Sequence, residues 1–266
     1  MRLLNVLIRC LSAITTVAVA AGQYSGGGHI WLWRHADTHY QVQRQVSRVW
    51  RTLTIRASTA LASIGLFFEL DTRLSSSKYP ADSIVVYPNG IGVRASTPRA
   101  CPSAGASSIP SPANATVGGE FAAFAPASGS FYTDNDANHE SCKPARVPTP
   151  IIEIHGGADT SVAYNGGVGE GGINPAIPAW LDRWAERNQC DKPNSQSDLY
   201  GGDVHHLSWT CKGVAGALQH YKTDDQKHCW ASTEINFSQL AAGDKPTHIE
   251  ASAIFREFFK SFTRPA

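Results

Sequence analysis

The sequence predicts an α/β fold, a mostly parallel sheet flanked by helices and incomplete in its N-terminal half, and three observations carry that expectation. An apolar run at 151–154 ends in Gly156-Gly157 and then Asp159, the pattern of a buried strand that delivers a carboxylate to the carboxyl edge of a sheet. An amphipathic helix is predicted at 177–188, with Pro178 near its start. Two strand-like runs, 204–211 and 217–222, then lead to a closing amphipathic helix at 249–260.

Taken in order, residues 1–20 combine a cationic start, an apolar stretch and Ala18-Val19-Ala20, which reads as a secretory signal with its cleavage site. Arg9 and Cys10 interrupt the apolar stretch, whereas a membrane anchor needs about 20 uninterrupted apolar residues. Residues 21–65 form an aberrant, linker-like segment, crowded over 29–62 with Trp, Arg, Gln and His in no helical or strand period. Residues 66–266 are assigned to one α/β domain. It opens with a polar helix-to-loop region at 70–79 and a short buried strand at 83–88. A Pro/Ser/Ala string at 95–113 is a second aberrant segment, of the composition expected of a linker. A further strand is expected within 120–132, with its core at 121–126 and its end at Ser128-Gly129. The Asp159 loop leads into a Gly-rich excursion at 166–172, and then into the helix at 177–188. There Trp180 and Trp184 lie four apart on one face, read as core packing, with an aromatic wall of a cleft as the alternative.

A chain of 266 residues can bury a substantial core in a single domain. The 23 basic and 22 acidic residues leave a formal charge of +1, so the chain has no electrostatic footprint for nucleic acid or an anionic membrane. A neutral or polysaccharide partner fits that balance better. Of six cysteines, Cys10 leaves with the signal, and the remaining odd number requires a reason. Cys190 and Cys211 bracket a polar excursion and are the candidate disulfide, which secretion permits; partners for Cys142 and Cys229 stay open. Asn114-Ala-Thr116 and Asn236-Phe-Ser238 match the glycosylation tripeptide.

The chemistry concentrates in two places. Asp159 follows one strand and His228, in Asp225-Gln-Lys-His-Cys-Trp-Ala-Ser-Thr233, follows another, so both belong on loops at one sheet edge. Acid before histidine, with a nucleophile expected earlier in the chain, is the order of α/β-hydrolases. No G-x-S-x-G occurs anywhere. The nucleophile is therefore unassigned, with Ser103 in Cys101-Pro-Ser-Ala-Gly105 a weak candidate and Ser25 before Gly26 read as linker. His248 competes with His228 but sits at an expected helix start, where capping or a surface role suits it. Asp224 and Asp225 are the substitutes for Asp159. His155, in His-Gly-Gly, is expected to support the Asp159 loop rather than build an oxyanion hole. His205, His206 and His220 lack the spacing of a metal ligand set, so neither metal nor cofactor is expected.

Several motifs in order carry a resemblance: 149–164, the W-x-x-x-W-A-E-R-N-x-C of 180–190, Leu218-Gln-His-Tyr-Lys222, and His228-Cys-Trp-Ala-Ser-Thr233. With 74–92 and 120–132 they resemble fungal secreted feruloyl esterases of carbohydrate esterase family one, relatives of polyhydroxybutyrate depolymerase-like esterases. The resemblance covers about 66–92 and 114–266. It implies a secreted α/β-hydrolase that releases ferulate from feruloylated arabinoxylan or a small hydroxycinnamate ester; a monomer is the expectation, and the charge balance adds no nucleic-acid or membrane partner. An acetylxylan or polyester esterase, and a non-catalytic polysaccharide-binding remnant, are the alternatives.

That family carries an H-G segment before residue 66 and a G-x-S-x-G turn shortly before 120, where this chain has its two aberrant segments. Codons permitted for 94–113, read from the third base of the Arg94 codon, include a solution containing G-M-S-I-G. A frame-shifted nucleophile segment is therefore the expectation. Loss of a triad serine removes on the order of 10⁶-fold in rate, so the chain as written is expected to be nearly inert.

Overall fold

In the computed structural model the described residues are 17–23, 29–34, 70–74, 78, 83–86, 122–131, 144, 146–169, 172–192 and 195–263. Among the described residues ten strands form: β1 (Val17–Gln23), β2 (His29–Arg34), β3 (Ser83–Val86), β4 (Ala123–Ala127), β5 (Ile151–Gly156), β6 (Gly167–Gly169), β7 (Gly172–Asn174), β8 (Ser195–Leu199), β9 (Val204–Cys211) and β10 (Val214–Thr223). Among the described residues, these are accompanied by the α-helices α1 (Ile177–Arg187), α2 (Phe237–Ala242) and α3 (Ala251–Lys260) and by a short 3-10 turn at Tyr200–Gly202. Eight strands make one sheet in the order β3-β2-β1-β4-β5-β10-β9-β8, and β6-β7 is a separate hairpin.

The α/β expectation holds, but the sheet is mixed rather than mostly parallel. Pairs β2-β3, β4-β5 and β5-β10 are parallel; pairs β1-β2, β1-β4, β9-β10 and β8-β9 are antiparallel. Short hairpin connections in the 195–223 region dictate antiparallel neighbours there, because a parallel pair needs a long crossover. The β4-β5-β10 centre has the buried parallel character expected from the apolar runs. A second correction concerns 29–62, read as aperiodic. It contains β2, whose Ile30-Trp-Leu-Trp33 is a continuous run of strand-forming residues that a search for alternation passes over. Strand β1 takes in Ala18-Val19-Ala20, the expected cleavage site, so cleavage after Ala20 leaves Ala21–Gln23 of it. The 95–113 segment, Ser25, Ser103, Cys142 and Asn114 lie outside the described residues.

Alternation along the central strands divides the core between the two sheet faces. Ala123, Ala125, Ile152 and Ile154 pack with Trp230, Phe255, Phe258 and Phe259 on the α3 side. Phe124, Ile151 and Leu218 pack with Ile177, Trp180, Leu181 and Trp184 on the α1 side. Trp180 stacks on Phe131 with ring centroids 3.9 Å apart, and both tryptophans are fully enclosed. They are core rather than the wall of a cleft.

Helix α1 begins with Pro178 in its first turn, where the missing N–H costs nothing. It ends at Asn188, whose buried amide accepts from Thr149 N and donates to Thr149 O, each at 2.8 Å. The helix is thereby tied to the entry of β5. Two residues beyond, Cys190 is disulfide-bonded to Cys211 at the end of β9, as expected. Asn236 caps α2: its Oδ1 accepts from Gln239 N at 2.8 Å, and its Nδ2 donates to Trp230 O at 3.0 Å. With that side chain buried and its amide committed, Asn236 is not a glycan acceptor, whatever its tripeptide.

Candidate active site

Strands β5 and β10 run parallel and adjacent, so the loops after them leave the same edge of the sheet. The first carries Asp159 and the second His228. Gly156 and Gly157 let these loops touch: a Cβ at Gly156 would lie 2.1 Å from Gln226 O, and one at Gly157 2.7 Å from Asp224 O. Any other side chain there strikes backbone. In their place are two main-chain bonds, Gly157 N to Thr223 O at 2.7 Å and Ala158 N to Gln226 O at 3.0 Å.

Asp159 is buried, and its two oxygens have separate duties. Oδ1 accepts from the backbone N–H groups of Ser161 and Val162, both at 2.8 Å, in an Asx-type turn that fixes the rotamer. Oδ2 accepts from His228 Nδ1 at 2.8 Å across 69 residues of sequence. The carboxylate can only accept, so the proton sits on Nδ1 and the neutral ring offers a lone pair at Nε2. Nothing among the described residues engages that nitrogen, and the ring keeps 16% of its surface exposed. A ring held by a fixed carboxylate at one nitrogen and open at the other can take a proton from a group placed at Nε2.

Behind this pair lies a charged group that the sequence reading passed over. Glu153, in the middle of β5, is wholly buried with its Oε1 2.8 Å from His155 Nδ1 and its Oε2 2.7 Å from His220 Nδ1. His155 donates from Nε2 to Val162 O at 2.8 Å, and that nitrogen is 3.6 Å from Asp159 Oδ2. His155 therefore supports the Asp159 loop, as expected. Tyr164 OH reaches His220 Nε2 at 3.1 Å, and burial pushes its phenol up. The overlooked signal is a glutamate inside Ile151-Ile-Glu-Ile154, since a buried acid requires partners.

The other candidates are occupied elsewhere. Asp224 pairs with Lys222 at 2.6 Å and His205 at 3.1 Å, while Asp225 pairs with Lys245 at 2.7 Å. His248 lies over the Tyr200 ring, 5.1 Å between centroids, and 3.3 Å from Asp203, a surface role. His205 bridges Asp198 and Asp224 on the outer strands, and His206 bonds Gln219 and stacks on Tyr221. Among the described residues no group of three or more His, Cys, Asp and Glu side chains is disposed for a metal ion. Cys229, beside His228, is a buried free thiol whose Sγ lies 3.3 Å from Asp244 Oδ2. Burial, and then the charge of Asp244, push that thiol well above its usual range, so it is no nucleophile. No helix among the described residues is long and apolar enough to cross a membrane.

Comparison with models of known protein families and with curated proteins finds no match.

Proposed function

We propose that Asp159 and His228 are the acid and base of a secreted serine-type carboxylic-ester hydrolase on an α/β-hydrolase fold, of the feruloyl esterase type, acting on feruloylated arabinoxylan or small hydroxycinnamate esters. The observation that carries this reading is the 2.8 Å Asp159–His228 bond, formed at one sheet edge with Nε2 left open. In the reaction, His228 Nε2 takes the proton of a serine hydroxyl as it attacks the ester carbonyl, and returns it to the departing alcohol. Asp159 holds the ring in the required tautomer and offsets the imidazolium while it lasts. The disulfide between Cys190 and Cys211 agrees with an oxidising compartment.

The chain contains no G-x-S-x-G, and that absence favours a second reading, a remnant that binds cell-wall polysaccharide without cleaving it. Purified protein incubated with methyl ferulate separates the two. Turnover that disappears in His228→Ala and falls on the order of 10⁴-fold in Asp159→Asn supports hydrolysis; retention on feruloylated arabinoxylan with no product supports the remnant. Faster release from acetylated xylan or a short polyester than from methyl ferulate would redirect the substrate assignment. Sequencing the transcript decides whether the frame through 94–113 is the one written here.

A further inference from the structure

Glu153, His155 and His220, with half-buried Tyr164 beside them, form a buried group of titratable side chains that the proposed chemistry leaves unused. Their hydrogen-bond geometry restricts where the protons are. A carbonyl oxygen only accepts, so His155 Nε2, 2.8 Å from Val162 O, carries a hydrogen. Glu153 sets Oε1 2.8 Å from His155 Nδ1 in hydrogen-bonding geometry, while its Oε2, 2.7 Å from His220 Nδ1, makes an ion-pair contact without hydrogen-bond alignment; with Asp159 Oδ2 3.6 Å from Nε2, the His155 ring has an acid near each nitrogen, which favours its doubly protonated form. His155 Nδ1 then carries a hydrogen as well. We propose that Glu153 holds His155 as a buried imidazolium behind Asp159, which makes His155 a positioning residue for the Asp159–His228 pair.

The charge count gives this arrangement its purpose, and this part rests on the reading of Asp159 and His228 as acid and base. Two enclosed carboxylates, Glu153 and Asp159, and one imidazolium leave a single negative charge facing His228. When His228 takes a proton the group becomes neutral. With His155 uncharged, two negative charges would share one buried site, which is costly. The Val162 carbonyl adds a mechanical tether, because Val162 N also donates to Asp159 Oδ1.

The surroundings agree. Burial pushes His155 down, but the charge and hydrogen bond of Glu153, the charge of Asp159 and the Val162 carbonyl together carry it above its usual value. Burial pushes Glu153 up and is outweighed by His155 and His220, so its carboxyl lies below the usual range. On β10, Lys222 is the register partner of His155, but its ammonium is bound to Asp224 at 2.6 Å and lies 5.2 Å over the Tyr164 ring. Tyr164 meets His155 edge-on at 5.9 Å. On the other side of β5, Ala127 is the register partner of Ile154 and Ser128 N donates to Ile154 O, both uncharged residues.

Nitrogen NMR of the histidine rings in the full chain, followed against pH, tests the proposal without any ester. In the native protein His155 is expected to show two protonated ring nitrogens well above the ordinary histidine midpoint of about 6.5. In Glu153→Gln it is expected to keep only the Nε2 hydrogen over the same range. The low-field proton that His228 Nδ1 shares with Asp159 is expected to move as His155 titrates, a coupling that a purely mechanical support would not produce. A His155 ring with one protonated nitrogen at neutral pH in the native protein overturns the proposal, as does a His228 proton indifferent to the His155 transition. Should Glu153→Gln fail to fold, the native measurements decide by themselves. Because no turnover is read, failure of the esterase reading on methyl ferulate is distinguishable from failure here.

Discussion

Glu153 and His155 show how much can hang on single residues in a strand that otherwise reads as apolar. The folded carboxyl of Glu153 lies below its ordinary 4.5, so its contribution to stability is present above that value and is lost as pH falls through the folded one. The folded imidazole of His155 lies above 6.5, so its contribution is complete below that value and is lost as pH rises through the folded one. Together the pair contributes fully between pH 4.5 and 6.5 and less on either side. Urea midpoints measured across pH are expected to be flatter in a Glu153→Gln, His155→Gln double variant than in the native chain. At Asn236 the expectation is simpler. Asn236→Ala removes a helix cap and a buried amide bond to Trp230 O, and is expected to cost about 1–2 kcal/mol in denaturant unfolding.

Two junctions between elements decide where the candidate site can form. At the carboxyl end of β5, Gly156 lies against the backbone of the loop that carries His228, and only a residue without Cβ permits the approach. Gly156→Ala is expected to lower stability by about 1–3 kcal/mol, and to lengthen the Asp159–His228 bond, read as loss of the low-field His228 proton. At the other end of the same strand, Asn188 satisfies both main-chain groups of Thr149 from the end of α1. Asn188→Ala leaves those buried groups unpaired, at an expected cost of about 1–3 kcal/mol. Gly156-Gly157 was visible in the sequence as a strand-ending pair. The reason for it, a backbone 2.1 Å from the missing Cβ, was not. Asn188 was visible only as a letter in a motif, because its partner lies 39 residues earlier.

At the scale of the molecule, α1 and α3 cover opposite faces of the central strands, and the Cys190–Cys211 bond joins the end of α1 to the outer antiparallel strands. The bond spans 21 residues, and closing a loop of that length in the unfolded chain is worth about 3 kcal/mol. A Cys190→Ser, Cys211→Ser variant is expected to unfold at correspondingly lower denaturant, with mass spectrometry of the unreduced native chain showing the bond. Strands β4 and β5 and helices α1 and α3 were legible because each carries its own signal: apolar runs for β4 and β5, 3.6-residue periodicity and an early proline for α1, and an amphipathic pattern for α3; β6, β7, β8 and α2, short or polar, were not. Strand β2 was not, since an apolar run flanked by arginine-rich sequence has no period to detect.

Local pattern therefore determined that this is an α/β chain, that Asp159 and His228 lie on loops after strands, and that Cys190 and Cys211 bracket an excursion. Those features depend on hydrophobic period and turn chemistry within a few residues. The tertiary structure alone decided that the sheet is mixed and that Glu153 gathers two histidines behind Asp159. Each depends on which strand lies beside which. The parallel register that sets His220 against Glu153 is a pairing between residues 67 positions apart, and no local period encodes it.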